Sequence, residues 1–400
     1  MYGEIIGNKM TLCEPDDCTG CGACRTACPK QCIALLPDGE GFDRPQIDAA
    51  RCIACGRCRQ VCPVLTPPRR ATRPDPDVWL GWVRSREVLE QSTSGGLFSA
   101  LAQPVLARGG TVFGVVMEAG CRARTVAART AGELAPMRGS KYVQADTGTS
   151  YDAARRELRA GHPVLFTGTP CQIAGLYGFL GREADDPRLV TCEVICHGIP
   201  SPKYLQAYVA RYAPLADARI TFRNGRTWSY ETHCRTACRN ERWGAARDYY
   251  VRSFLRGLCF RESCYRCPFA RMPRVADLTL GDFWGVARQV PGCRCNPRGN
   301  SLLLSNSPQG TALLEACMPQ LELQRCTLGQ ALAANPRLAA PAVRPAARTD
   351  FYTDFFELPP AEFLRKYRLQ ATLRNRLGQL RRRLRALLLR LHEPFSSPCL

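Results

Sequence analysis

The sequence predicts a small α+β unit over residues 1–65, a mixed α/β domain over 78–325 and a basic amphipathic helix over 361–400. Three observations lead there. One cysteine phrase is repeated within the first seventy residues. Beyond residue 78, short apolar runs alternate with stretches of helical periodicity, the pattern of a mixed α/β sheet. At the far end, leucines recur every three or four residues among arginines, which places them on one face of a helix. A chain of 400 residues is more than one small core needs, so division into domains is expected.

The repeated phrase reads CTGCGACRTACP and then CIACGRCRQVCP. Each is C-x2-C-x2-C-x3-C-P, the spacing with which bacterial ferredoxins hold a [4Fe–4S] cluster. Three thiolates spaced by two residues curl onto three corners of a cubane, and the fourth comes from the other copy. Residues 1–65 are therefore expected to be a two-cluster, ferredoxin-like unit. Cys18, Cys21, Cys24 and Cys62 would hold one cluster, and Cys52, Cys55, Cys58 and Cys28 the other. Zinc knuckles and a disulfide framework are the rival readings; zinc sites take separated pairs, often with histidine, and no histidine lies here. Gly20, Gly22, Ala23, Ala54 and Gly56 suit a chain wrapped closely around an inorganic core. Cys13 and Cys32 fall outside the pattern and read as bystanders.

Thr66 to Asp77 carries four prolines and three arginines, a composition that resists helix and marks a linker. Strands are then expected at Val78–Val83, Thr111–Met117, Pro163–Phe166, 189–198, 276–285 and 300–307. Helices are expected after Gly96, from about Gln172, over 201–213 and near Gln309–Cys317. The stretch 326–360 is rich in alanine and proline and reads as irregular. Two turns join strand-like runs to helix starts: Ser92–Gly96 and Thr167–Cys171. Free backbone N–H groups there can hold a phosphate, although small residues before a helix are more often plain N-caps. Neither turn is a GxGxxG, so no nicotinamide site of that kind is indicated. Cys171 and Cys196 each follow a strand, and Cys264-x2-Cys267 follows a helix, so the four could converge on a third cluster. The alternative is that they pack as small hydrophobes, which suits Cys121, Cys192, Cys317 and Cys326 better.

The 24 cysteines, with no apolar leader in Met1–Leu12, point to metal ligation in a reducing, anaerobic cytoplasm. The net charge of +20 is partly local: residues 361–400 hold ten Lys or Arg and two Glu. No aromatic residues interleave Arg374 to Arg390, so a stacking platform for nucleic acid is not expected. No apolar run reaches the roughly eighteen residues of a membrane span. The leucines from Leu369 to Leu391 make the tail a helix for the protein's own body, a twin subunit, or an anionic membrane surface at the inner face.

TSGGLFSAL, GSKYVQ, GTPCQIAGL, CHGIPSPKY, ITFRN, CFRESCYRCPFA and ADLTLGDFWG, in that order behind the doubled cysteine phrase, resemble the coenzyme F420 hydrogenase/dehydrogenase beta-subunit family. The resemblance covers roughly residues 13–325 and is greatest to a ferredoxin-fused branch associated with bacterial polysaccharide biosynthesis. It implies that the mixed α/β domain binds FAD and exchanges electrons with iron–sulfur clusters. It further implies that Ser94, Gly95 and Gly96 form a glycine loop near the flavin, with Gly168 and Thr169 in the turn before a cluster cysteine. Lys141 and Tyr142 would lie at the flavin and substrate face. Cys171, Cys196, Cys264 and Cys267 would be the thiolates of a third [4Fe–4S] cluster, with Cys259 able to replace one. A hydride donor or acceptor, F420 or another, would meet the flavin near Lys141, and His197 could move a proton or tune the cluster. The implied partners are that hydride carrier and a redox protein; the substrate chemistry could belong to this chain or to the partner. Asp282 and Trp284 sit in a matching motif without an assigned role, and Cys234, Cys238, Cys293 and Cys295 have no place in the pattern.

Overall fold

A computed structural model describes residues 5–6, 9–10, 12–68, 70, 72–224, 228–244 and 248–371. Its centre is a nine-stranded mixed sheet. In spatial order the strands are Leu321–Cys326, Asp77–Val83, Ser301–Ser305, Leu278–Asp282, Leu189–Val194, Val164–Gly168, Thr111–Glu118, Arg122–Ala128 and Ala145–Asp146. The four strands from Leu278–Asp282 across to Thr111–Glu118 run parallel, and antiparallel strands extend both sides. Parallel strands covered on both faces need near-continuous apolar runs. Val164, Leu165 and Phe166 meet that need with at most 1% exposure, and every residue of Ser301–Ser305 is buried.

Helices Leu97–Ala107 and Pro308–Cys317 cover one face of the sheet. Ser150–Arg159 and Pro170–Leu180 cover part of the other, and the N-terminal unit packs onto them. That unit contains the antiparallel pair Ile33–Pro37 and Asp43–Ile47 with short helices at Ala23–Ala27 and Arg57–Gln60. A third layer, dense in aromatic rings, forms from helices Pro202–Ala210, Tyr249–Leu255 and Phe351–Glu357.

The N-terminal unit docks because helix Pro170–Leu180 offers glycines where it meets it. A Cβ on Gly175 would stand 3.0 Å from Cys21 Sγ, and one on Gly178 would stand 2.5 Å from the Val61 carbonyl oxygen. Backbone cannot yield as a flexible side chain can. Gly178→Val should therefore cost about 1–3 kcal/mol by overpacking. The expected readout is a lower melting temperature and faster proteolysis in the 66–77 linker; Gly132→Ala, with nothing within 4 Å, should be neutral.

The linker runs strapped to the body. Arg70 donates to Asp277 Oδ1 at 2.7 Å, Thr72 Oγ1 donates to the Arg274 carbonyl at 2.6 Å, and Arg73 N donates to the Asn306 carbonyl at 2.7 Å. The stretch expected to be irregular, 326–360, instead holds helices Leu328–Ala334 and Phe351–Glu357, the first opened by a Thr327–Gln330 capping box. Pro336, Pro341 and Pro345 lie between those helices, and Pro359 and Pro360 follow the second. The tail also differs from one continuous helix. Helix Pro360–Lys366 stops before Arg368, whose φ is 50°, and Leu369 is buried in the aromatic layer. The rest of the expected basic helix, 372–400, with its membrane-facing reading, lies outside the described residues. Among those described, no helix is long and apolar enough to cross a membrane.

Candidate functional site

Parallel strands deliver their following loops to one edge of the sheet, where α/β folds bind ligands. Here three such ends converge. Val164–Gly168 leads to Thr169 and Cys171, Leu189–Val194 leads to Cys196 and His197, and Leu278–Asp282 ends at Asp282. The turn Glu262–Arg266 brings Cys264 and Cys267 to the same place. Cys171, Cys196, Cys264 and Cys267 line one cavity together with Thr19, His197 and Arg274. Burial pushes the thiol of Cys171 up to about 11 and that of Cys196 up to about 12, and it raises Cys264 and Cys267 as well. Buried thiols become thiolates only where positive charge compensates them, so this donor set suits an iron core. Cys259 is fully buried in the aromatic layer, where its sulfur accepts from Ser253 Oγ at 3.5 Å, away from that cavity.

The two N-terminal groups also gather across the repeat. Cys24 lies in the field of Cys18 and Cys62, and Cys21 in that of Cys24, Cys62 and Cys171. Cys58 lies in the field of Cys52 and Cys55. Cys13 and Cys32, read from the sequence as bystanders, lie beside these two groups. The neighbouring Cys18 and Cys62 raise the pKa of Cys13, and Cys32 Sγ stands 3.4 Å from Cys28 Sγ, with Cys52 also acting on it. Their spacing lies outside the repeat, so sequence pattern alone had no means of placing them. Among the described residues, no three Cys, His, Asp or Glu side chains are close enough to hold a single metal ion; a cubane distributes its thiolates over separate irons.

A larger cavity, of about 310 Å³, opens beside the Cys171 group. Ser94, Gly96, Lys141, Tyr142, Gly168 and Thr169 all line it. Gly95 lies behind the surface, its N–H donating to Ser301 Oγ at 2.9 Å, and a Cβ there would stand 2.3 Å from the Gly81 carbonyl oxygen. Lys141 Nζ donates to the carbonyls of Pro136, Met137 and Arg138 at 3.1, 2.8 and 2.9 Å. Burial alone would bring its pKa down to about 7, and the three acceptors favour the charged form against that. All three ammonium protons therefore close the turn at the cavity rim. Burial, with Arg337 nearby, lowers the pKa of His197.

The far wall contains residues that motif reading left without chemistry. Arg223, whose side chain is 1% exposed, donates to Asp282 Oδ2 at 2.8 Å, to Tyr142 OH at 3.1 Å and to the Thr93 carbonyl at 3.1 Å. Asp282 Oδ1 also accepts from Trp228 Nε1 at 2.9 Å. The Trp228 and Trp284 rings stack 2° from parallel, and the Arg223 guanidinium sits 4.8 Å from the Tyr230 ring centre. ITFRN and GDFWG thus meet behind the cavity wall and fix Tyr142 there. Asn335, from the unplaced 326–360 stretch, reaches the same cavity. Its Nδ2 donates to the Asp282 carbonyl at 3.0 Å, which leaves Oδ1 buried without a partner in the protein.

Residues 78–149 match the amino-terminal part, and residues 161–328 the carboxy-terminal part, of the family described as "Coenzyme F420 hydrogenase/dehydrogenase, beta subunit". Together they span more than half of the chain. This chain belongs to the coenzyme F420 hydrogenase/dehydrogenase beta-subunit family. Residues 17–65 match a 4Fe-4S dicluster domain, in front of the beta-subunit regions. The chain is thus a member of an oxidoreductase family that carries a 4Fe-4S dicluster domain at its front. Among curated proteins, an uncharacterized ferredoxin of Methanocaldococcus jannaschii is 43% identical over 35 residues, 9% of this chain and 56% of that protein. The chain thus spans little more than half the length of that relative. A chain of the F420-reducing [NiFe] hydrogenase complex from Methanosarcina barkeri aligns at 16% identity with a TM-score of 0.46, covering 68% of this chain and 92% of that one. Within the beta-subunit regions, the cysteine cavity and the larger cavity share Thr169, Cys171, Cys196 and His197 as a common wall.

Proposed function

We propose that this beta-subunit-family protein passes electrons between a hydride donor or acceptor, met at an FAD in the larger cavity, and three [4Fe–4S] clusters. The carrying observation is the common wall: Cys171 and Cys196 border both cavities, and Cys171 lies in the field of Cys21. Bound flavin would supply the conversion between a two-electron hydride and single electrons. The chain's own residues do the rest. The N-terminus of helix Leu97–Ala107, which no side chain caps, leaves first-turn N–H groups for a phosphate beside Ser94 and Gly96. Tyr142, Tyr230 and Trp284 wall the ring end and exclude water. Lys141 holds the rim turn, and His197 stands where a proton could enter beside Cys196. Cys18, Cys21, Cys24 and Cys62 would hold the nearer ferredoxin-like cluster, and Cys28, Cys52, Cys55 and Cys58 the farther.

Asn335 Oδ1 supports a ligand that carries N–H, as a flavin ring does. Asn335→Leu removes that acceptor, and a hydrogen bond of about 1–1.5 kcal/mol corresponds to about tenfold in FAD affinity. Equilibrium dialysis of the anaerobically purified protein should show that loss, with iron content unchanged. Zinc without flavin in the wild-type protein would overturn the whole reading.

A further inference from the structure

The two halves of the cysteine repeat share sequence and local backbone but have opposite surroundings. In the first loop Thr19 is 7% exposed, and a Cβ on Gly20 or Gly22 would lie 2.1 Å from Gln144 Nε2 or 2.4 Å from Thr147 Oγ1. In the second loop Ile53, the counterpart of Thr19, is 57% exposed, and a Cβ on Gly56 would meet nothing within 4 Å. Ala54 adopts a left-handed φ of 52° where Gly20 has 67°, so a methyl group is tolerated there. One loop is pressed against the α/β body and the other is bare among the described residues.

The bare loop has a defined chemistry. Cys55 and Ile53 are exposed, and so are Arg51 and Arg57, which flank them in the chain, and Lys30. Arg51 Nη2 donates to the Lys30 carbonyl at 3.0 Å, which draws two of the cationic residues together. The acid beside them, Asp48, accepts from the Ala50 N–H at 3.1 Å. A large exposed apolar side chain flanked in the chain by exposed cations, next to the repeat's cysteines, suits the small, charge-steered contacts of electron-transfer encounters.

We propose that this face, with Ile53 at its centre and Lys30, Arg51 and Arg57 at its rim, docks an acidic one-electron carrier protein. The proposal rests on the reading that Cys28, Cys52, Cys55 and Cys58 hold an iron–sulfur cluster. Each encounter moves one electron and no proton: the cluster or the carrier is oxidised as the other is reduced. The covered first loop faces inward to Cys171, so the repeat has an internal terminal and an external one.

The test uses anaerobically purified full-length protein and, as probe, an acidic plant-type [2Fe–2S] ferredoxin, with binding followed by biolayer interferometry over a salt series. Arg51→Glu with Arg57→Glu should weaken binding at low salt by about tenfold or more and flatten the salt dependence, because two rim cations are reversed. Ile53→Asp should weaken it as well. The reversals Arg108→Glu and Arg182→Glu, on exposed residues elsewhere, should change binding less than about twofold. Equal effects of the two charge reversals would overturn the proposal. So would equal affinity for a basic cytochrome. Iron content and the low-temperature EPR of the N-terminal clusters judge the underlying cluster reading separately, since the binding measurement needs no electron to move.

Discussion

Cys171→Ser is expected to remove one iron–sulfur group and cut the larger cavity off from the N-terminal unit. Cys171 is the second residue of helix Pro170–Leu180, borders both cavities and feels the charge of Cys267 and of Arg261. A serine hydroxyl keeps the volume and loses the soft thiolate that iron–sulfur cores need. Iron should fall by about four atoms from about twelve per chain. The EPR of the two N-terminal clusters should persist, while their reduction from the hydride side in a single turnover should disappear. Cys259→Ser is the matched control. It disturbs a buried sulfur in the aromatic layer, so the melting temperature should fall while iron stays constant. Retained transfer in Cys171→Ser, or iron loss confined to Cys259→Ser, would show that the cluster is wired differently.

The cysteine repeat was legible because a cubane imposes its spacing locally: three ligands fall within seven residues and the fourth is marked by proline. The central strands were legible for a similar reason, since burial on both faces leaves apolar runs such as VLF in the parallel strand Val164–Gly168 and LLL in the antiparallel strand Ser301–Ser305. What could not be read were contacts between elements far apart in the chain. Cys13 reaches Cys62 and Asn335 reaches Asp282 only through tertiary packing, and neither has a periodic signature. Arg223 and Trp284 sat in recognised motifs without a role because their chemistry is mutual, between strand Arg219–Asn224 of a separate three-stranded sheet and the turn after Leu278–Asp282. Helix Leu328–Ala334 was hidden by composition, since the prolines that suggested irregular chain begin only after it ends. Residues 225–227 and 245–247 and the tail beyond 371 lie outside the described residues.

Arg261→Met should both loosen the docking of the N-terminal unit and make the clusters on its two sides harder to reduce. Arg261 is fully buried between the two bodies. Its Nε donates to the Cys18 carbonyl at 2.5 Å, Nη1 to Gln144 Oε1 at 3.0 Å and Nη2 to the Asp43 carbonyl at 2.9 Å. Methionine fills the space and leaves three buried acceptors unpaired, a loss of about 4 kcal/mol given the strength of charge-assisted bonds. The same guanidinium acts electrostatically on Cys18 and on Cys171, favouring the thiolate of each. A positive charge beside a cluster stabilises its reduced, more negative state. Removing it should shift both reduction potentials to more negative values, while the cluster at Cys52, Cys55, Cys58 and Cys28 shifts less. Arg261→Lys separates the two effects. A lysine keeps the charge but cannot span three divergent acceptors with its compact ammonium. It should therefore retain most of the potential shift's origin while losing much of the stability, read by redox titration and thermal melting of the same samples. Identical potentials in wild type and Arg261→Met would place the cation's influence elsewhere, whatever the stability did.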